Sequence, residues 1–417
     1  MDYIDSGVEW IGNIPNNWKI EKVKYNFKNT KEIVGIRVNN YERLALTLNG
    51  VVKRSKEDDN GLQPDNFETY QILRKNELVF KLIDLQNVST SRIGLSNYEG
   101  IVSPAYIILK ENGKVIPKYA ELYFLYMWYF QVFNVLGDSG VRSSLNTRDL
   151  LNLPIPVPPK KVQERIIDYL ENRINRIENV KENMLKQLDK LNEYKESLIS
   201  NSVIYGLNRN AEMIESGIDY IGQMNSNWKL IRIGYICNKL QRGFDEEALA
   251  LICSNKGTVE YRDDNSFGLV SDSDNSFQGV KKGDLLIHGM DTWHGAIAVS
   301  DKDGKCTKVV HVCDSKENKD FIKYYLQMLA YKKVYKAISN GVRENTSDFR
   351  SWDKANKIYI TLPSRNEQNE IANYLNNKCK QIDDIVANQK KQIDILDKYK
   401  YSIIYEYITG KKEVPND

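Results

Sequence analysis

An internal repeat constrains this chain more than any other feature. Residues 5–19, DSGVEWIGNIPNNWK, recur at 215–229 as ESGIDYIGQMNSNWK, an offset of 210 positions that places Trp18 on Trp228. A second match joins 157–199, opening VPPKKVQERIIDYLENRINRIENV, to 362–404, opening LPSRNEQNEIANYLNNKCKQIDDIV, at an offset of 205 that places Gln163 on Gln368. The order is head, middle, helix, then head, middle, helix, and a period this long sets the architecture. Between the matched ends, residues 30–150 and 240–350 share only short islands such as Gly140-Val141-Arg142 against Gly341-Val342-Arg343. A repeated frame around differing contents behaves as a fused homodimer with approximate two-fold symmetry and two working surfaces of different specificity.

The second match carries a heptad seam. Ile167, Leu170, Ile174, Ile177, Lys181, Met184, Leu188, Leu191, Lys195 and Leu198 follow alternating three- and four-residue steps. Adding 205 gives Ala372, Leu375, Cys379, Ile382, Val386, Gln389, Ile393, Leu396, Lys400 and Ile403 in the same register. Pro154, Pro156, Pro158 and Pro159 precede the first helix and Pro363 the second, and Gly206 and Gly410 mark their ends. From about residue 160 to 205 such a helix is roughly 65 Å long, too long for a small globular domain, so it is expected to act as a spacer. The simplest packing is antiparallel. The expected division is 1–157, a helix at 158–207, 208–362, a second helix at 363–411 and a tail at 412–417.

Each middle reads as a mixed α+β unit. Residues 43–49, 77–84 and 100–110 are strand-like and 118–137 helix-like; in the second copy 284–291, 295–300 and 308–313 are strand-like and 320–339 helix-like. Both helical stretches are broadly apolar and aromatic, as core-packed helices are. Polar and basic loop residues are the candidate nucleic-acid contacts: Lys53, Arg54, Arg92, Arg142, Ser144 and Asn146 in the first copy, Arg242, Arg343, Asn345 and Thr346 in the second. Arg bonds bidentately to guanine, Asn to adenine, and Ser or Thr to phosphate. Arg142 and Arg343 stand out because Gly-Val-Arg recurs at the same place in both copies.

Composition points to no polyanion binding overall: 59 Lys and Arg face 56 Asp and Glu, a formal charge of +3, so any basic surface is local. A coiled-coil adaptor that binds only protein is compatible with that balance. Five cysteines without a C-x-x-C pair, no signal-like N-terminus and no apolar run of bilayer length lead us to expect a reducing cytoplasm. No phosphate-binding P-loop is present, since Gly113-Lys114, Gly304-Lys305 and Gly410-Lys411 lack the upstream glycine spacing and the hydroxyl residue. Neither a Gly-rich methyltransferase cofactor loop nor the acidic or Asn residue followed by two prolines and an aromatic occurs. His288, His294 and His311, with Asp291, Cys306 and Cys313 nearby, lack the tight ligand spacing of a zinc site, so no metal is expected.

The chain resembles the specificity subunits of Type I restriction–modification systems over nearly its full length. The likeness rests on the doubled head, on DLQNVSTSRIGLSNYEGIVSPAYIIL and on GDSGVRSSLNTRDLLNLPIPVPPKKVQERI. The second copy departs from it, with Met224-Asn225 in place of Ile14-Pro15 and TKVVHVC in place of S-P-A-Y. The resemblance implies an α+β fold class in which two target recognition domains, related by a pseudo-two-fold repeat, are separated by two long antiparallel coiled-coil helices. It implies a split asymmetric duplex DNA target read without catalysis on this chain. It also implies two modification subunits bearing S-adenosylmethionine and methylating adenine, and two ATP- and Mg-dependent restriction subunits; a fused restriction–methylation enzyme is the alternative setting.

Overall fold

The computed structural model describes residues 2–58, 66–85, 91–136, 144–208, 210–262, 276–338 and 349–415. The chain divides into two compact units, Met1–Met184 with Lys391–Asp417, and Leu185–Lys390. Each long helix therefore contributes one part to each unit, rather than forming a segment of its own.

Unit 1 opens on the hairpin Tyr3–Asp5 with Asn13–Pro15, and Lys19–Lys22 then pairs antiparallel with Pro154–Val157, clasping the two ends of the middle together. Its inner sheet has the order Phe27–Asn29, Ile107–Glu111, Leu78–Phe80, Ile93–Leu95; its outer sheet has Gly50–Arg54, Arg43–Thr47, Gly100–Val102, Gln71–Leu73. Helices α1 (Pro117–Tyr129), α2 (Val132–Leu136) and α3 (Thr147–Asn152) follow, and α4 (Lys160–Tyr205) begins the spacer. The apolar, aromatic α1 is core: Tyr119, Tyr123 and Phe124 are fully buried, and the tyrosine hydroxyls are satisfied, Tyr119 donating to the Ile408 carbonyl at 2.9 Å and Tyr123 to that of Pro154 at 2.8 Å.

Unit 2 repeats this plan although its middle shares almost no sequence with the first. The hairpin Met213–Glu215 with Gln223–Asn225 and the clasp Lys229–Arg232 with Tyr359–Leu362 recur. The inner sheet is again four strands, Cys237–Lys239, Val310–Ser315, Leu285–His288, Ile297–Val299. Helices α5 (Lys319–Tyr331), α6 (Val334–Ile338), α7 (Trp352–Ala355) and α8 (Arg365–Ile408) complete it. The single helix expected at 118–137 and at 320–339 is in each case two, broken where Gln131 and Lys333 both adopt φ 57, the left-handed region. Apolar residues flank each break on both sides, and the single Gln131 and the Lys332-Lys333 pair read as the polar positions of a continuing helix, so periodicity does not reveal them.

The middle is tied to its helix by a corresponding buried glutamine in both units. Gln163, fully buried, accepts from the Ile116 N–H at 2.9 Å and donates to the carbonyls of Lys114 and Pro158 at 3.1 and 2.9 Å. Gln368, 1% exposed, accepts from the Asn318 N–H at 2.9 Å and donates to Glu317 and the Pro363 carbonyl at 2.8 and 3.0 Å. Gly206 and Gly410 end α4 and α8 at φ 76 and 72, conformations that cost a side chain dearly. Both also let a head tryptophan approach: a Cβ on Gly410 would lie 3.1 Å from the Trp18 ring, and one on Gly206 would lie 3.1 Å from that of Trp228.

Within each unit the long helices pair antiparallel. In unit 1 Glu178 meets Lys400 at 2.7 Å and Lys181 meets Asp397 at 2.5 Å, so one number rises by three as the other falls by three. In unit 2 Gln187 meets Gln389 at 3.0 Å and Lys195 meets Asp383 at 2.6 Å, again running oppositely. The seam residues Ile167, Leu170, Ile174, Ile177, Leu188, Leu191, Leu198, Leu375, Ile382, Val386, Ile393, Leu396 and Ile403 are each buried or half-buried. Polar seam positions that find a partner in only one alignment penalise the others, as buried polar residues do in coiled coils.

Candidate nucleic-acid interface

The first candidate surface forms where two stretches of unit 1 meet. Beyond Leu78–Phe80 the chain reaches a turn at Ile83 and Asp84, with Asp84 left-handed at φ 54. On the far side of residues 137–143, Ser144 bridges Ile83 and the Leu145 N–H donates to the Leu82 carbonyl at 2.9 Å. Leu145 is buried, so the exit of that segment is fixed to the inner sheet. Asn146 then caps α3, its side-chain oxygen accepting from the N–H groups of Arg148 and Asp149 at 2.8 and 3.1 Å while Asp149 reaches back to the Asn146 N–H. The cap uses that oxygen and leaves the amide NH2 on an exposed residue.

Arg92 corrects the sequence reading. It is 1% exposed and cannot reach DNA; its guanidinium donates to the Ile83 carbonyl at 3.2 Å and to that of Asp84. Burial depresses its pKa from the usual arginine value. Its role is to hold the turn on which Ser144 rests. The Ser-Arg dipeptide reads as loop because it is polar, yet Ser91 is buried too, donating to the Ile93 carbonyl at 2.6 Å.

Lys53 and Arg54 stand elsewhere, on the edge strand of the outer sheet. Lys53 is ion-paired with Glu42 at 2.5 Å, which raises its pKa, and lies 5.5 Å from the Tyr98 ring centre; Arg54 pairs with Asp58 at 2.7 Å. In unit 2 Arg242 is clamped by both oxygens of the buried Asp284, a pairing that raises the guanidinium pKa. Arg142, Arg343, Asn345 and Thr346 lie outside the described residues.

Unit 2 anchors its corresponding segment the same way. After residues 339–348 the Phe349 N–H donates to the Gly289 carbonyl at 3.1 Å, and Phe349 is 4% exposed. One addition has no counterpart in unit 1: His311 Nε2 lies 2.6 Å from the Phe349 carbonyl, and since a carbonyl only accepts, Nε2 carries the proton. His311 Nδ1 is buried without a partner, and burial lowers the pKa of both His311 and His288. His288 Nδ1 accepts from the Asp291 N–H at 3.1 Å. These imidazoles are thus engaged with backbone, and among the described residues no group of three or more His, Cys, Asp or Glu is placed to hold a metal ion. All five cysteines are buried and free, and burial raises the thiols of Cys237 and Cys306 to about 12. Among the described residues no helix is long and apolar enough to cross a membrane.

Sequence reasoning passes over the anchors themselves. Leu145, Leu82, Phe349 and Gly289 are apolar or small and resemble any other core position; the one signal is that Leu145 and Phe349 both follow a Gly-Val-Arg segment.

Comparison with known proteins matches this duplicated plan. Residues 11–189 match the family described as Type I restriction modification DNA specificity domain. The putative type I restriction enzyme MjaX specificity subunit of Methanocaldococcus jannaschii is 23% identical over 440 residues, covering 97% of this chain and 96% of that protein. A chain from a solved type I R-M system, studied for its complex assembly and conformational transition, superimposes with a TM-score of 0.69 at 13% identity, covering 96% of this chain and 99% of the other, and so shares the fold. The chain is thus similar over nearly its full length to a specificity subunit of a Type I restriction enzyme, and residues 11–189 match the DNA specificity domain of those systems.

Proposed function

We propose that this chain reads a bipartite, asymmetric duplex DNA target, one half-site per unit, and docks the subunits that act on it. The observation that carries this reading is the loop exit built twice, Leu145 on Leu82 and Phe349 on Gly289, behind segments that share little beyond Gly-Val-Arg. Two equal surfaces would read a symmetric site; two different segments on matching anchors read different half-sites. Arg142, Arg343, Asn345 and Thr346, with Ser144 and the free amide of Asn146, supply the base-edge and phosphate contacts. Lys53 and Arg54 exchange Glu42 and Asp58 for phosphate on binding, while Arg242 stays fixed by Asp284.

Chemistry lies with the partners in this proposal. Two modification subunits bring S-adenosylmethionine, and in the full complex two restriction subunits bring ATP and Mg; this chain holds none of these cofactors. The test is methyl transfer to duplex DNA by the purified chain, by a modification subunit, and by both together. Transfer only by the mixture, at a split motif, is expected. Transfer by the chain alone, or at an undivided motif, overturns the proposal.

A further inference from the structure

We propose that unit 1 carries a second, sequence-independent nucleic-acid site, a basic groove beside Tyr25 that grips DNA phosphates. It rests on the reading of this chain as a DNA-binding subunit. The groove, about 650 Å³, is lined by Ile20, Glu21, Lys22, Tyr25 and Asn26 and by the turn Asn112, Gly113, Lys114. Its floor is built. Asn26 is 1% exposed; its Oδ1 accepts from the Lys114 N–H at 2.8 Å, its Nδ2 donates to Glu21 at 2.9 Å, and its carbonyl accepts from the Asn112 N–H at 2.8 Å. Gly113 sits so close that a Cβ there would lie 2.7 Å from the Asn26 Cα.

From this floor Tyr25 stands out, 63% exposed, with Lys22 and Lys114 on the rim. On the adjoining sheet edge Lys28 and Lys110 are direct register partners, both exposed. Like charges directly opposite one another across two strands repel. None of Lys22, Lys28, Lys110 and Lys114 has an ion pair among the described residues. Glu21 is engaged by Asn26, and Glu111, next to Lys110, lines a different groove. Two lysines beside an exposed phenol and two more on the adjoining sheet edge, none of them ion-paired, outnumber the Glu21 carboxylate; they complement a polyanion and carry no means of telling bases apart.

The place of the groove favours DNA over an acidic protein. Lys24 Nζ donates to Asn152 at 3.2 Å, and Asn152 ends α3, whose cap Asn146 follows residues 137–143. A six-residue helix, roughly 9 Å, spans that step. The groove therefore lies one short helix away from Ser144 and Asn146, within the span of a single bound duplex. Unit 2 lacks the charge: it keeps Arg232 and an exposed Tyr235, but Lys24 becomes Gly234, Lys28 becomes Asn238, and the partner opposite Asn238 is Asp314, paired with Lys319 at 2.5 Å.

The test compares the complex of the intact chain and its modification subunit with one carrying K22Q, K28Q, K110Q and K114Q together, on duplexes with and without the methylated motif. Affinity is expected to fall about 10-fold or more at low salt, equally on both duplexes, with the slope of log affinity against log salt shallower by about 0.9 for each phosphate no longer neutralised. The methylated motif stays the same, and Tyr25→Ala gives a smaller loss of the same kind. Unchanged affinity and slope, or a loss confined to the motif-bearing duplex, overturns the site. Failure of the variant to assemble with the modification subunit identifies an acidic protein surface instead and also overturns it. A wild-type complex that binds neither duplex overturns the DNA reading and this site together.

Discussion

The outer sheet of unit 1 is four hydrogen-bonded strands, whereas unit 2 lays out the same order as two ribbons, Leu251–Cys253 with Val259–Tyr261 and Phe277–Val280 with Gly304–Thr307, joined by one parallel bridge from Ala250 to Lys305. Elsewhere the units answer each other closely: α1 and α5 each have 13 residues, α2 and α6 each have 5, and Gln163 and Gln368 make equivalent bonds. The difference shows where a duplicated chain is held strictly and where it is free. The glutamine that ties each middle to its helix keeps its identity and two of its three bonds, because a buried amide needs its polar atoms partnered. The outer sheet keeps only strand order.

The largest expected effect tests whether the two frames are equivalent. Leu170→Ala and Leu375→Ala empty corresponding, fully buried seam positions. Each should cost about 2–5 kcal/mol, with similar values for the two sites. Urea unfolding followed by hydrogen exchange within each unit measures both, and a large cost in one unit beside a negligible one in the other breaks the comparison. Next, Gln163→Met and Gln368→Met each leave a half-buried backbone N–H, that of Ile116 or Asn318, without its acceptor and should cost about 1–3 kcal/mol, read from the same urea transitions.

Acid should then separate the units. His311 and His288 have folded pKa values below the ordinary one and both lie in unit 2. The unfolded chain therefore binds more protons below pH of about 6.5, so stability falls as pH drops through that value, by up to about 1.4 kcal/mol per pH unit for each histidine. Exchange protection around Phe349 should fall between about pH 6.5 and 5 while that around Leu145 holds. Equal loss at both anchors contradicts the assignment to histidine. The smallest effect concerns caps: Asn146→Ala should cost about 1 kcal/mol. Ser351→Ala should be near neutral, since the Ser351 side chain makes no capping bond to α7.

Much of this fold was legible because its framework is written twice. Heptad spacing located α4 and α8 near their ends at Tyr205 and Ile408, and the flanking prolines and glycines marked the boundaries. The breaks at Gln131 and Lys333 were not legible, since a polar residue with left-handed φ reads no differently in sequence from one on the exposed face of a continuous helix. Nor was the common topology of the middles, whose strands are set by pairing partners distant in sequence rather than by matching residues. At the candidate interface, sequence could mark polar and basic residues but not the way they face. Arg92 faces inward to two carbonyls, and Asn146 turns its oxygen to a helix end. The basic groove has no sequence signature, because Lys28 and Lys110 meet only through strand register.

Whether each unit reads its own half-site, as proposed, is decided by replacing residues 230–350 with the corresponding segment of another Type I specificity subunit and mapping methylated adenines genome-wide with the matching modification subunit. A motif whose second half-site changes to that of the donor while the first is retained is the expected result. A motif changed in both half-sites, or unchanged in both, would contradict it.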